Sequence, residues 1–303
     1  MAQTSSGPAN RAPEPAFALT YGSSGAGKTS DSGFSFPCGL FIAARGALQP
    51  LRHVIGYEPA CIEAKSIEDA TKIITATASN GKCPYDAIVV DDFSFLAEQT
   101  FSLLERRANG WRLWGLLRDV TLDFRNAARY ASCHVILNCW EQAPATKPDG
   151  TRVRGGPMLS GKLPEQLPAL CDLVLRCGFD AGRKPWPGVY RCFPSQEFTM
   201  KDRFGIVPDP APMNLAEIFR LAGYTVRRHP AVEAWQEQVV TQIAAALLAS
   251  DPARMQDIAN AFYKDLVANG IEPKAARWTL RDALDRVVLR RANEARQAQF
   301  ISV

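Results

Sequence analysis

The sequence predicts an α/β protein with a mainly parallel central sheet and a small helical region towards its C-terminal end. Short, continuously apolar stretches alternate with amphipathic segments through most of the 303 residues, which is typical of a parallel sheet covered on both faces. A glycine-rich loop follows the first apolar stretch, and from about residue 227 onward only helical patterns remain. At about 150 residues per domain, the chain accommodates two domains, or one large domain with an appendage.

The elements follow from apolar periodicity and from the positions of glycine and proline. Residues 1–15 are rich in Ser, Pro, Ala and Asn, and we expect a disordered tail before a core over 16–226 and a helical region over 227–303. Proline and glycine favour an irregular segment over 31–50 and a loop over 143–168. The predicted strands are 17–21, 52–57, 86–91, 133–138, 171–176 and 188–192, the last two forming a hairpin. The predicted core helices are 67–79 and 96–130, the second interrupted at 109–110.

Composition places the chain among ordinary globular proteins. Apolar residues make up 47% and charged residues 22%, which excludes collagen-like, coiled-coil and wholly disordered classes. No apolar run reaches the roughly 18 residues that cross a bilayer, and the first residues lack the features of a secretory signal, so we expect a cytoplasmic protein without membrane contact. The eight cysteines include no Cys-x-x-Cys pair and are interpreted as reduced thiols. The net charge of +4 permits an anionic partner without requiring one.

The glycine-rich loop after the first strand fits the pattern G-x-x-x-x-G-K-[ST]. In such a loop, backbone N–H groups and a helix N-terminus face phosphate oxygens, the lysine contacts the β- and γ-phosphates, and the hydroxyl residue binds Mg²⁺. We therefore predict an ATP and Mg²⁺ site in which Lys28 is catalytic and Thr29 is a metal ligand; a chance Gly/Ser turn is the alternative. The predicted nucleotide-binding residues are Gly22, Ser23, Ser24, Gly25, Ala26, Gly27, Lys28 and Thr29.

Further polar residues end predicted strands, at the edge where parallel sheets bind ligands. Asp91 ends the third predicted strand, and we predict that it holds the metal, whereas Asp92 either shares that role or caps the next helix. Glu58 follows the second predicted strand, where it could orient the attacking water; a solvated loop glutamate is the alternative. Asn138 ends the fourth predicted strand, and it either senses the γ-phosphate or serves as a structural amide.

Basic residues are concentrated in the predicted loop over 143–168. A flexible cationic loop suits a phosphate backbone, and Gly155-Gly156 permits close approach, although a solvated surface loop would explain the same charges. The predicted DNA-binding residues are Lys147, Arg152, Arg154 and Lys162. Trp140 either stacks on a base or packs in the core. The arginine-rich last helix has interleaved acids and is interpreted as a solvated, salt-bridged face.

The order of these motifs resembles the RecA-type core, and in particular phage-encoded RecA-like nucleotide-binding proteins that act in single-strand annealing and recombination. The resemblance covers about residues 17–225. Gly56-Tyr57-Glu58 is similar to the RecA segment with the catalytic glutamate, and 154–162 is similar to the mobile second DNA-binding loop. Residues 199–203 resemble the hairpin whose cations reach the γ-phosphate of a neighbouring subunit, so Lys201 and Arg203 are implied to be catalytic in trans; an exposed charged turn is the alternative.

The resemblance implies an oligomeric, DNA-stimulated ATPase that uses ATP and Mg²⁺ and assembles as a ring or a filament. The implied partners are single-stranded DNA, further copies of the chain and a single-strand-binding protein, in the cytoplasm of a bacterial host if the chain is phage-encoded. Because Asn138 stands where RecA has glutamine and the first DNA-binding loop has no clear counterpart, annealing or single-strand binding is implied rather than strand exchange. Two alternatives are a P-loop module for helicase loading or packaging, and a small-molecule kinase.

Overall fold

The computed structural model describes residues 14–44, 46–49, 51, 59–79, 81–182, 188–227, 234–271 and 273–301. The strands are β1 (Phe17–Gly22), β2 (Leu40–Ile42), β3 (Ala60–Ile62), β4 (Ala87–Val90), β5 (His134–Gln142), β6 (Ala145–Thr146), β7 (Arg152–Val153), β8 (Gly156–Pro157), β9 (Leu173–Phe179), β10 (Gly188–Arg191), β11 (Lys201–Asp202) and β12 (Ala211–Pro212). The helices are α1 (Lys28–Ser35), α2 (Ile67–Ala78), α3 (Phe93–Glu105), α4 (Gly110–Arg129), α5 (Leu163–Leu170), α6 (Leu215–Leu221), α7 (Ala234–Leu248), α8 (Met255–Ala268) and α9 (Pro273–Ile301), with a 3₁₀ turn at Pro252–Arg254.

The main sheet is parallel at its centre and antiparallel towards one side. Its strands lie in the order β12-β10-β9-β1-β5-β4-β2-β3, with β11 paired to β9 and β8 paired to β5. β1 is parallel to β5 and β9, β4 is parallel to β5 and β2, and β10 is antiparallel to β9 and β12. The predicted α/β class, mainly parallel sheet and final hairpin are therefore confirmed. The insertion of β5 between β1 and β4 positions the site described below.

Apolar side chains cover both faces of this sheet, as expected for strands that are apolar runs. On one face, α2, α3 and α4 bury residues such as Ile74, Phe93 and Phe124 against the strands. On the other face, α6 packs Ile218 and Phe219 into a second layer. Among the described residues, no helix combines the length and the apolar character that crossing a bilayer requires.

Parts of the predicted element order are wrong. The segment over 31–50 is not irregular throughout, because α1 begins at Lys28 and runs into it and β2 is a buried strand. The segment over 143–168 contains the β6–β7 hairpin, β8 and the start of α5. These elements are short or rich in serine, so apolar periodicity does not reveal them. The predicted strand over 52–57 and most of the predicted tail over 1–15 lie outside the described residues.

The C-terminal helices form their own apolar cluster, in which α7, α8 and α9 pack around residues such as Ile243 and Leu280. The interpretation of the arginine-rich helix α9 as a solvated face is wrong for its middle part. Asp282 and Asp285 are buried there, and both accept hydrogen bonds from the Asn214 amide, at 3.1 and 3.3 Å. Helix α9 is therefore joined to the core by buried polar contacts.

Candidate active site

The loop between β1 and α1 has the backbone geometry of a phosphate cradle. Gly25 and Gly27 have φ angles of 78° and 91°, a left-handed conformation that favours glycine. A Cβ at Gly22 would lie 2.8 Å from the Cβ of Cys177, so glycine is needed for the loop to turn against β9. The predicted nucleotide-binding residues thus form a strand–loop–helix unit, and the N-terminus of an eight-residue helix faces the loop.

Lys28 folds back over the loop from the first turn of α1. Its Nζ donates to the carbonyl oxygens of Gly22 and Ser23, at 2.8 and 3.0 Å. A charged phosphate oxygen is a stronger acceptor for an ammonium group than a neutral carbonyl is. Lys28 is therefore placed to exchange these carbonyls for the β- and γ-phosphates of a nucleotide.

Thr29, Asp91 and Asn138 form one connected polar cluster at the carboxyl edge of the sheet. They meet because β5 lies between the strand that precedes the loop and the strand that precedes Asp91. The hydroxyl of Thr29 donates to the Asp91 carboxylate at 2.9 and 3.0 Å, and the Asn138 amide donates to the same carboxylate at 2.8 Å. The oxygen of the Asn138 amide accepts from the hydroxyl of Thr20 at 2.8 Å. The structure thus brings three of the predicted site residues together.

The carboxylate of Asp91 has no ion-pair partner among the residues that the structure describes. Burial raises the pKa of its carboxyl group, and the hydrogen bonds from Asn138 and Thr29, followed by the charge of Lys28, oppose that shift. Among the described residues its hydrogen-bond donors are neutral, which favours the binding of an external cation. Carboxylate and hydroxyl oxygens are ligands that Mg²⁺ accepts, so Thr29 and Asp91 fit a magnesium ion.

Asp92 caps a helix. Its φ of 58° turns the chain between β4 and α3, and its Oδ1 accepts from the backbone N–H of Phe95 at 3.3 Å. Of the two roles that the sequence left open for Asp92, the geometry supports the cap. Glu58 lies outside the described residues.

Lys201 and Arg203 lie at the amino edge of the sheet, opposite the loop, because β11 pairs with the first residues of β9. The Lys201 ammonium donates to the carbonyl oxygens of Ala169 and Cys171, at 2.9 and 2.6 Å. The Arg203 guanidinium forms an ion pair with Asp172 at 2.9 Å. Within one subunit these cations are far from the phosphate loop, and their action in trans stays a prediction.

The four predicted DNA-binding residues are all exposed, and they share the β6–β7 hairpin, its exit and the start of α5: Lys147, Arg152, Arg154 and Lys162. The idea that glycines 155 and 156 let DNA approach closely is wrong, because both are buried. A Cβ at Gly155 would lie 2.6 Å from the Phe198 ring, so the close approach is to the protein's own chain. Trp140 is half-buried on β5, and its backbone N–H donates to Ser94.

Sequence reasoning missed Asp31, which lies buried behind the phosphate loop. Its carboxylate accepts from the Tyr190 hydroxyl at 2.6 Å, and the Arg281 guanidinium of α9 lies 3.6 Å away. Burial raises the pKa of Asp31, and the charge of Arg281 is the largest effect that opposes it. The serine-rich sequence around Asp31 does not indicate these contacts, because Tyr190 and Arg281 come from distant parts of the chain.

A family model described as an AAA domain matches residues 14–204, which include the loop, Asp91 and Asn138. No curated protein matches the chain. Among solved structures, a KaiC-like protein from Pyrococcus horikoshii aligns with a TM-score of 0.37 and 16% sequence identity, over 62% of this chain and 84% of that chain.

Proposed function

We propose a function for this chain from its family: it belongs to the AAA domain family of P-loop ATPases. The proposed function is that of an oligomeric ATPase that binds single-stranded DNA in recombination or annealing. The observation that supports ATP hydrolysis best is the cluster of Thr29, Asp91 and Asn138 beside the phosphate loop. This cluster brings a carboxylate that is hydrogen-bonded only by neutral groups, a hydroxyl and an amide together beside the phosphate loop.

Each residue of the site would have a distinct part in ATP use. Thr29 and Asp91 would hold Mg²⁺, which, when bound, neutralises charge on the phosphates. Lys28 would contact the β- and γ-phosphates, and Asn138, which contacts Asp91, would respond to the γ-phosphate. Glu58 would orient the attacking water. The serines of the loop are exposed, so phosphates can approach its backbone N–H groups from solvent.

Binding of single-stranded DNA is supported by the basic hairpin. Three of its cations, Lys147, Arg152 and Arg154, are exposed, and the only acidic residue between them is Asp149. Exposed cations on an extended hairpin suit the phosphates of a flexible strand, whereas a small-molecule kinase would need an enclosed acceptor site.

Action of Lys201 and Arg203 in trans is part of the same proposal. If Arg203 turned towards a neighbouring subunit, Asp172 would keep the Arg129 guanidinium at 2.7 Å and the backbone N–H of Phe17 at 3.0 Å. The Arg203 side chain is 56% exposed, so a neighbour can reach it. Asp172 would therefore keep partners at the amino edge without its contact to Arg203.

Phosphate release from ATP, measured with and without single-stranded DNA, tests the proposal. We expect hydrolysis that needs Mg²⁺ and increases with DNA, and we expect Lys28→Ala to lose hydrolysis and most nucleotide affinity. Lys72→Ala is the matched control, because Lys72 is an exposed lysine on α2 whose ion-pair partner among the described residues is the nearby Asp69, at 3.5 Å. Hydrolysis that DNA leaves unchanged would contradict the DNA partner, and near-normal hydrolysis by Lys28→Ala would contradict the whole site.

A further inference from the structure

Helix α4 presents two tryptophans at the protein surface. Trp111 is 92% exposed and Trp114 is 43% exposed. They are three residues apart in the first turns of the helix, so their side chains lie on the same face. Scattered exposed apolar residues are common, whereas neighbouring exposed tryptophans beside a concave surface are typical of binding sites.

A groove of about 520 Å³ runs between α4 and the start of α5, within the range of roughly 300–1,000 Å³ typical of ligand sites. Its lining includes Trp111, Trp114, Leu117, Arg118, Lys162 and Gln166. We call it the tryptophan groove. Lys162 is also one of the four predicted DNA-binding residues.

Two neighbouring residues pack against the Trp114 ring. On one side it packs against Phe101 of α3, with ring centroids 5.3 Å apart. Next to it is Gly161, where a Cβ would lie 2.5 Å from the ring, so only glycine allows this contact. A ring with packed neighbours has less conformational freedom to lose when a ligand binds, which favours stacking.

The groove is lined by two exposed cations, Arg118 and Lys162. The segments 105–119 and 162–166 also contain Arg106, Arg107 and Arg112, which are exposed. The acidic residues in the same segments are Glu105, Asp119 and Glu165. Arg118 pairs with Asp119 at 3.0 Å, but both are exposed, so a phosphate can compete for this arginine.

We propose that the tryptophan groove binds single-stranded DNA, with bases stacked on Trp111 and Trp114 and phosphates on Arg118 and Lys162. This inference rests on the proposed function. It assigns the contacts to bases, which the β6–β7 hairpin does not provide because its strands carry cations but no exposed aromatic ring. Flat aromatic faces between cations suit nucleobases joined by phosphates better than they suit a peptide or a second copy of this chain.

The test is a fluorescence anisotropy titration of a labelled oligothymidine with the full chain and its variants. We expect Trp111→Ala to weaken binding about 5- to 150-fold, the range found for the loss of one base stack, and Trp111→Phe to restore most of the affinity. Arg118→Ala should reduce the log–log salt slope by about 0.7, the value for one lost phosphate contact. Tyr130→Ala is the matched control, because Tyr130 is 78% exposed at the opposite end of α4.

The outcomes separate this inference from the proposed function. If the unaltered chain binds no DNA, both fail. If it binds DNA and Trp111→Ala binds equally well, the groove proposal alone is overturned. Trp111→Ala that keeps its DNA affinity but loses self-association, measured by light scattering, would instead assign the groove to a contact between subunits and overturn the proposal.

Discussion

The two edges of the parallel sheet each hold a buried aspartate, but the two aspartates have different partners. At the carboxyl edge, Asp91 accepts hydrogen bonds from the hydroxyl of Thr29 and the amide of Asn138, both neutral groups. At the amino edge, Asp172 forms ion pairs with two guanidinium groups, those of Arg129 and Arg203.

This difference separates a structural carboxylate from a functional one. A buried charge that is matched within the chain ties segments together, as Asp172 ties α4 and β11 to the start of β9. A buried charge that the chain leaves poorly matched is stabilised when a ligand supplies the opposite charge. The fold keeps its poorly matched aspartate at the edge where the phosphate loop lies.

The first prediction removes the charge at the carboxyl edge. Asp91→Asn should lower ATP hydrolysis by about 10³-fold, the rate equivalent of several kcal/mol of metal-dependent charge stabilisation. It should leave the free energy of unfolding of the nucleotide-free protein equal or higher, because burial already disfavours the charged carboxyl group. Phosphate release and thermal unfolding measure the two effects. A clearly less stable variant would mean that Asp91 is structural, like Asp172.

The second prediction concerns the action of Lys201 and Arg203, at the amino edge, on the active site of a neighbouring subunit. Lys201→Ala/Arg203→Ala should bind ATP yet hydrolyse it about 10³-fold more slowly, because a cation supplied in trans stabilises charge on the transferred phosphoryl group. Glu58→Gln should have the same phenotype. Mixing the two variants should restore part of the activity, because some interfaces then pair an intact Glu58 with intact cations. No recovery in a mixture that demonstrably co-assembles would restrict Lys201 and Arg203 to their own chain.

The third prediction removes the charge at the amino edge. Asp172→Asn keeps an acceptor for the backbone N–H of Phe17 but loses the attraction to Arg129 and Arg203. We expect the free energy of unfolding to fall by about 2 kcal/mol, since both arginines are partly exposed and can be solvated. Binding of a fluorescent ATP analogue should be unchanged. Weakened nucleotide binding in the folded variant would show that the two edges are coupled.

The fourth prediction concerns His134, which is also buried at the amino edge and accepts a hydrogen bond from the backbone N–H of Ala16 at 2.9 Å. Burial lowers its pKa from 6.5 to about 4, against an opposing effect of Asp86. The unfolded chain therefore binds the proton more readily, and stability should fall by about 3 kcal/mol as the pH drops from 6.5 to 4.

Denaturant titrations at several pH values measure this dependence. His134→Asn keeps an acceptor near Ala16 but cannot take up a charge, so its stability should vary less with pH in this window. An equal slope in the variant would assign the pH dependence to other groups.

Sequence reasoning located the site where the chemistry is local. Lys28 and Thr29 belong to a continuous motif, Asp91 follows the apolar strand β4 and Asn138 lies within the apolar strand β5, so their meeting follows from the sheet order. It failed for α1, whose composition is that of a weak helix and whose stability comes from tertiary contacts. It also missed Trp111 and Trp114, because an apolar residue in a helical pattern looks the same whether a neighbouring element covers it or not.

The packing of α1 against α9 has a consequence for folding during translation. This helix carries Lys28 and Thr29, yet Gly33 and three serines make it a weak helix by composition. It packs against α9, where Trp278 stacks on Phe34 with ring centroids 4.8 Å apart. Segments made first fold first during translation, but α9 is translated long after residues 14–204. A ribosome-bound chain that has completed residue 204 therefore lacks the contact of Trp278 with Phe34, and we expect it to hold ATP more weakly than the full chain.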